Sequence, residues 1–276
     1  MKFSKTLLCF FAFSLVAATS GNAALIAFDH FYYGGDEAVG LSGLGGTENG
    51  WAGAWDGRTL QFDPNIAPLN YSEPGYNNAP NPAGSGVVRS SAGNAGHIVT
   101  RELAAPLTET AWVSILLDRQ SEDSGEGLIW FNSVGQTTGA DTYVSIRNNR
   151  PEIRFPGNNS TGDTLTGELF LLLARVQINV DGNNDALDFW LNPDLSDGMN
   201  SLGSPTLTAG GSDAFGGGLS SIGISAGGSG ERMDSLRVGT TLEGVTVIPE
   251  PSTYAAIFGL SALGLVILRR RKALRK

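Results

Sequence analysis

Apolar and polar side chains alternate, one for one, through much of the middle of this chain. Val176, Ile178 and Val180 alternate with Arg175, Gln177 and Asn179, and Leu187, Phe189 and Leu191 alternate with Asp188, Trp190 and Asn192. A period of two places every second side chain on one face of a strand. Between the runs lies Asp181-Gly182-Asn183-Asn184-Asp185-Ala186, which opens on an Asp-Gly pair suited to a tight hairpin turn. The pattern therefore predicts a hairpin here. It returns over Thr142–Arg147, Leu219–Ser225 and Asp234–Val238, with shorter strands at Ala111–Leu117, Gly127–Phe131, Glu152–Phe155 and His97–Arg101 and a first strand at Ala24–Phe31. Periodicity leaves Glu168–Ala174 open between helix and strand. About ten strands, turns rich in Gly, Asn, Ser and Pro, and no sustained 3.6-residue period predict an all-β, antiparallel two-sheet sandwich over 24–240. Alternation predicts one buried and one wetted face per strand. Asp63 to Gly86, with Pro64, Pro68, Pro74, Pro80 and Pro82, is predicted to be one long surface loop.

The two ends break the pattern with unbroken apolar runs. Residues 1–23 show Lys2 and Lys5, then Leu7 to Ala18 without a charge, then Ser20-Gly21-Asn22-Ala23. This is the order of a secretory signal peptide, with cleavage between Ala23 and Ala24 by a signal peptidase after engagement of the translocon. At the other end Pro249-Glu250-Pro251 precedes an apolar run from Tyr254 to Leu268 and the basic residues Arg269, Arg270, Arg271, Lys272, Arg275 and Lys276. Fifteen apolar residues make about 22 Å of helix, short of a hydrocarbon core about 30 Å thick. The predicted transmembrane helix therefore runs over about 252–268. The cluster Arg269, Arg270, Arg271 and Lys272 is a cytoplasmic stop, which orients the body outward. Residues 241–248 read as a stalk.

Charge and cysteine content then remove whole function classes. The chain has 18 Lys+Arg and 27 Asp+Glu. Eight of the basic residues, and none of the acids, lie in 1–23 and 251–276, so the 24–250 body has a net charge of −17. Such a body repels phosphate backbones, and nucleic acid is excluded as a partner. The one cysteine, Cys9, lies in the signal segment, which excludes thiol catalysis and cysteine zinc sites from the mature body.

The tail over 249–276 resembles the PEP-CTERM sorting signal of Gram-negative bacteria: Pro-Glu-Pro, a short apolar helix and an Arg-rich end. The resemblance implies recognition of Pro249, Glu250 and Pro251 by an exosortase, a membrane-embedded transpeptidase-like cysteine protease, and release of the body to the surface or matrix of exopolysaccharide producers. Proline on either side of Glu250 holds that segment extended, which suits a protease cleft. Three strings of the body resemble concanavalin A-like (laminin-G-like) jelly rolls: Asn49 to Trp55, Leu187 to Pro193 and Met233 to Thr240. Members of that superfamily bind carbohydrate or calcium, hydrolyse glycans or adhere to proteins, so the resemblance does not choose among them.

No catalytic constellation is legible. Retaining glycosidases of this architecture carry Glu-x-Asp-x-x-Glu on a strand, whereas Glu122-Asp123-Ser124-Gly125-Glu126 has another spacing in a turn-forming context. His30 and His97 lack the neighbours of a triad or a zinc site. Gly216-Gly217-Gly218 lacks the Lys-Ser/Thr of a phosphate loop. Asp181, Asn183 and Asp185 place oxygen ligands at alternate positions, an arrangement usable by Ca²⁺; a turn that satisfies its own backbone accounts for the same residues. Trp51, Trp55 and Trp190 are candidates for stacking on sugars. Trp190 shares its strand face with Asp188 and Asn192, which makes these three the candidate carbohydrate contact, while burial under a loop is the plainer role for that ring. The expectation is an exported, non-enzymatic surface or matrix component that takes no cofactor and binds polysaccharide weakly. The alternatives are a glycan-active hydrolase or lyase and a structural envelope protein with a retained anchor.

Overall fold

The structure is a computed structural model and describes residues 25–31, 33, 39–57, 60–69, 71, 87–90, 98–119, 126–133, 142–180, 184–227 and 231–246. The signal cleavage site, Pro249–Pro251, the expected span 252–268 and the basic tail lie outside these residues. Among the described residues no helix is long and apolar enough to cross a membrane.

Numbered along the chain, sixteen strands among the described residues form two antiparallel sheets. The larger runs in the order β14 (Leu207–Ser212), β13 (Asn184–Leu191), β12 (Leu169–Val180), β7 (Thr110–Asp118), β16 (Arg232–Gly239), β5 (Val87–Ser90), β4 (Leu60–Asp63), β2 (Val39–Gly40). Strand β1 (Leu25–Asp29) also pairs with β16, from Leu25 opposite Gly239 to Asp29 opposite Leu236. The smaller sheet runs β11 (Asn158–Thr161), β10 (Arg150–Phe155), β9 (Tyr143–Arg147), β8 (Glu126–Ser133), β15 (Leu219–Gly227), β6 (Ile98–Leu107), β3 (Asp56–Gly57). The expected hairpin is β12 paired with β13, with Val176 opposite Leu187. Its turn residues 181–183 lie outside the described set. Glu168–Ala174 resolves as strand, because Leu169–Ala174 pairs along β7.

The core lies between the sheets. Val113, Ile115 and Leu117 of β7 and Leu172 and Ala174 of β12 meet Ile129 and Phe131 of β8, Val144 of β9 and Ile222 and Ile224 of β15, all completely buried. Each such aliphatic side chain contributes about 1.5–3 kcal/mol on burial.

The expectation of one wetted face fails for the larger sheet. Eight consecutive residues of β7, Ala111 to Asp118, are buried, so both of its faces are covered. Trp112 and Leu116 of β7, Leu171 and Leu173 of β12 and Trp190 of β13 form a second apolar cluster on the outer face. Loop residues Leu69, Tyr71, Leu195 and Leu202 and the helix α1 (Leu242–Thr246) cover it. Burial alternates over Ala174–Ile178 of β12, where Arg175 and Gln177 are half-buried; it is lost in β7 and over Leu187–Trp190 of β13 because a second apolar layer needs buried partners on that side too.

Where the sequence reads as a stalk, residues 242–246 are therefore a docked turn. Gly244 N–H donates to Thr241 Oγ1 at 3.2 Å, an N-terminal cap. Leu242 and Val245 are buried in the second cluster. Ser114 Oγ donates to Val245 O at 2.8 Å, and the wholly buried Arg237 donates through Nη1 to the carbonyls of Val245 and Thr246, each at 3.4 Å. These bonds satisfy carbonyls that a helix end otherwise leaves open.

Candidate functional site

The predicted carbohydrate contact lies on the larger sheet. Asp188 and Trp190 share its outer face, as the alternation implies. Asp188 accepts from Arg175 Nη2 at 2.6 Å and Nε at 3.0 Å, and from Thr208 Oγ1 at 2.8 Å. The Arg175 guanidinium lies 5.5 Å from the Trp112 ring and 5.6 Å from the Trp190 ring, which stack at 5.6 Å. Trp190 is only 4 % exposed, and its Nε1 donates to Gly203 O at 3.2 Å. Asn192 is exposed, with φ of +48°, and its Oδ1 accepts from Leu171 N at 2.8 Å. The three residues are neighbours, with the indole packed beneath the loop that carries Leu195 and Leu202.

The other candidates from the sequence sit elsewhere. Asp185 is buried and accepts from Phe215 N at 2.6 Å, while Asp181 and Asn183 lie outside the described residues. Among the described residues no group of three or more His, Cys, Asp or Glu is placed to hold a metal. Glu122, Asp123 and His97 also lie outside them. Trp51 and Trp55 are core residues, 1 % and 2 % exposed, whose indoles donate to Phe28 O and Asp29 Oδ2, both at 2.9 Å. Asp29 is the centre of this corner. It takes a 2.5 Å bond from Arg101 Nη1 and further bonds from Tyr33 Oη and Phe31 N. Burial pushes its carboxyl above the usual range, and these donors pull it part of the way back. Beside it, Asp29, His30, Tyr33, Glu48, Asn49 and Arg101 line a small cleft of about 160 Å³.

A different surface, the outer face of the smaller sheet, holds the most chemistry. Val144 and Ile146 of β9 point into the core, so Tyr143, Ser145 and Arg147 point out; by the same rule Leu128, Trp130 and Asn132 of β8 and Ser221, Gly223 and Ser225 of β15 share that face. The register then sets rows across the strands. One row runs Arg154, Tyr143, Trp130, Gly223, Thr100, and the next Glu152, Ser145, Leu128, Ser225, Ile98. In the first row the Trp130 and Tyr143 rings are 4.6 Å apart, and the Arg154 guanidinium is 6.0 Å from the Tyr143 ring. Tyr143 Oη donates to Glu152 Oε1 at 3.2 Å. Burial, above all, raises the Tyr143 pKa. Gly223 leaves room beside the indole: a Cβ there would come within 3.0 Å of Trp130 Cβ and 3.2 Å of Thr100 Cγ2.

Four polar atoms on this face are buried and have no hydrogen-bond partner among the described residues: Trp130 Nε1, Asn132 Oδ1, Ser145 Oγ and Ser225 Oγ. An unsatisfied buried polar atom costs about 1–3 kcal/mol, so a concentration of four on one sheet face is unusual. The set contains a donor, an acceptor and two hydroxyls that serve as either. Sequence reading missed this face because Leu128-Ile129-Trp130-Phe131 is an uninterrupted apolar run that reads as core. The available signal was the polar series Asn132, Ser145, Ser221 and Ser225 at outward positions of strands whose inward positions are apolar.

Residues 247–272 match the family model of the PEP-CTERM protein-sorting motif. The chain thus carries the sorting signal of an exported, membrane-anchored precursor processed by an exosortase. No curated protein matches the chain. Among solved structures it is similar to the globular domain of T. cruzi calreticulin, at 13 % identity over 90 % of this chain and 99 % of that one with a TM-score of 0.45. It is also similar to lectin II from Ulex europaeus, at 8 % identity over 76 % of this chain and 100 % of that one with a TM-score of 0.39. An engineered GH43 glycoside hydrolase matches at 12 % identity over 81 % of this chain and 42 % of that one, TM-score 0.40. Likenesses at this level carry no functional weight.

Proposed function

We propose that the protein is an exported surface or matrix component that binds a neutral, hydroxyl-rich polysaccharide, without chemistry, on the outer face of its smaller sheet. The observation that carries this reading is the coincidence of an aromatic pair, Trp130 and Tyr143, with four unsatisfied polar atoms on one face. A sugar ring offers apolar C–H faces to aromatic side chains and hydroxyls that both donate and accept. It therefore matches both kinds of unmet need on this face, and a glycan reaches them only where the cover over Tyr143 and the buried polar atoms opens. The test is binding of the exported, processed protein to an array of neutral, acidic and amino polysaccharides. Retention on neutral glycans, weakened at least tenfold by Trp130→Ala, is the expected result. Retention on none of them overturns the reading.

One observation favours a hydrolase as the second reading. Glu126 of β8 and Glu152 of β10 lie on the same outer face with β9 between them, Glu126 opposite Arg147 and Glu152 opposite Ser145. Burial raises the Glu126 pKa, Arg147 lowers it and the charge of Glu152 adds to the rise. Two strand spacings across and two residues along put their backbones about 12 Å apart, so the carboxyl groups reach the separations that inverting glycosidases use only by leaning toward each other. Release of reducing sugar from a bound glycan, abolished by both Glu126→Gln and Glu152→Gln, would select this reading.

A further inference from the structure

The sorting motif starts where the docked helix ends. Helix α1 finishes at Thr246, the motif begins at 247, and the apolar run begins at Tyr254. Seven residues, 247–253, span at most about 25 Å even when fully extended. Their starting point is fixed: Arg237 and Ser114 hold the last carbonyls of α1 against β16 and β7, the two central strands of the larger sheet.

That geometry restricts how the body can sit above a bilayer. To turn the smaller sheet toward the membrane, the tether would have to round an end of the sandwich. It would cover half the length of a nine-residue strand plus two layer spacings, about 35 Å. The reach is too short by about 10 Å. We infer that the anchored precursor is held with its α1 layer toward the lipid surface and the outer face of its smaller sheet pointing away. This orientation rests on the sorting motif and not on the glycan reading.

The α1 layer itself fits this placement. Met199, in the 3-10 turn Gly198–Asn200 that packs beside α1, is 49 % exposed, one of two large exposed apolar side chains among the described residues. Around it stand the exposed carboxylates Asp194, Asp197 and Glu243. These repel anionic headgroups, so proximity to the bilayer comes from the tether rather than from adhesion.

The absence of cysteine outside Cys9 makes the test direct. In a Cys9→Ser background, single fluorophores are placed at Met199→Cys or Glu102→Cys, the latter an exposed position on the outer face of β6. The full chain is reconstituted in phosphatidylcholine vesicles carrying a headgroup nitroxide. Quenching at position 199 should exceed that at 102 several-fold, and twenty Gly/Ser residues inserted after Thr246 should abolish the difference. Equal quenching without the insertion, stronger quenching at 102, or none at either site overturns the proposal. Flotation separates the causes: a chain that floats unquenched has its orientation misassigned, and one that does not float also fails as an anchored precursor. The processed protein should not float; if it does, adhesion rather than the tether sets the orientation and the proposal falls.

Discussion

Trp130 and Tyr143 stand directly opposite one another on β8 and β9, with ring centroids 4.6 Å apart and planes tilted by 57°. The pair lies on the outer face of the sheet, with Trp130 half-buried and Tyr143 buried. Trp130→Ala should reduce glycan affinity at least tenfold, about 1.4 kcal/mol, while lowering stability by only about 1–2 kcal/mol. Isothermal titration and urea denaturation on the same sample separate the two effects.

Trp190 should behave in the opposite way. It is buried against Trp112 and under Gly203, so Trp190→Ala removes a large side chain from the second apolar layer. A loss of about 3–5 kcal/mol in urea unfolding is expected. Glycan affinity per folded molecule should stay unchanged, and a selective loss of affinity would move the binding face back to the larger sheet.

The buried pair of Arg101 and Asp29 predicts a further asymmetry. Arg101→Met leaves the Asp29 carboxylate inside the protein with Phe31 N–H, Tyr33 and Trp55 as its donors but no countercharge. Breaking such a pair from one side costs about 3–5 kcal/mol. Arg101→Met with Asp29→Leu should recover part of that loss, which thermal denaturation of the three variants would reveal.

His30 makes stability fall on acidification. Burial first, and the Arg237 charge second, lower its pKa from 6.5 to about 4. The folded state therefore favours the neutral ring. That contribution is complete above about pH 6.5 and is lost as the pH falls through 4. Urea midpoints of the wild type should drop more steeply across this window than those of His30→Gln. Asp29 works with the other sign, because its raised pKa gives stability that is lost as pH rises. Parallel curves for wild type and variant would remove His30 from the account.

Processing is read by mass. The protein recovered outside the cell should lack residues 1–23 and the apolar and basic segments beyond Pro251, and intact-mass spectrometry of the secreted chain reports both ends at once. A full-length chain in the matrix would contradict exosortase processing.

Much of the sandwich was legible because its strands obey a two-residue period. Val176 to Val180 and Leu187 to Leu191 announce β12 and β13, while the register shift between Gln177 and Val180 beside the turn is not visible in that alternation. The short strands β2, β3, β11 and β14 were not legible. Val39–Gly40 and Asp56–Gly57 are two residues each, and Leu207–Ser212 contains Gly210 and Gly211, so no alternation accumulates. The docked helix was hidden for a related reason. Five residues, Leu242–Thr246, are less than two turns, and their two buried apolar side chains make sense only once the outer cluster on β7 and β12 is known. The candidate face was missed because its indole sits in an apolar run, and the register that brings Ser145 and Ser225 to either side of Leu128 is a long-range property of the sheet.

The pairing of β1 with β16 has a consequence for how the chain matures. Leu25 lies against Gly239, so the first strand among the described residues pairs with the last. Nearly the whole described chain must be available before these two strands can meet, and such non-local closure is slow. Until the two strands meet, β1 has an unpaired edge, and completion of the larger sheet waits for almost the whole body.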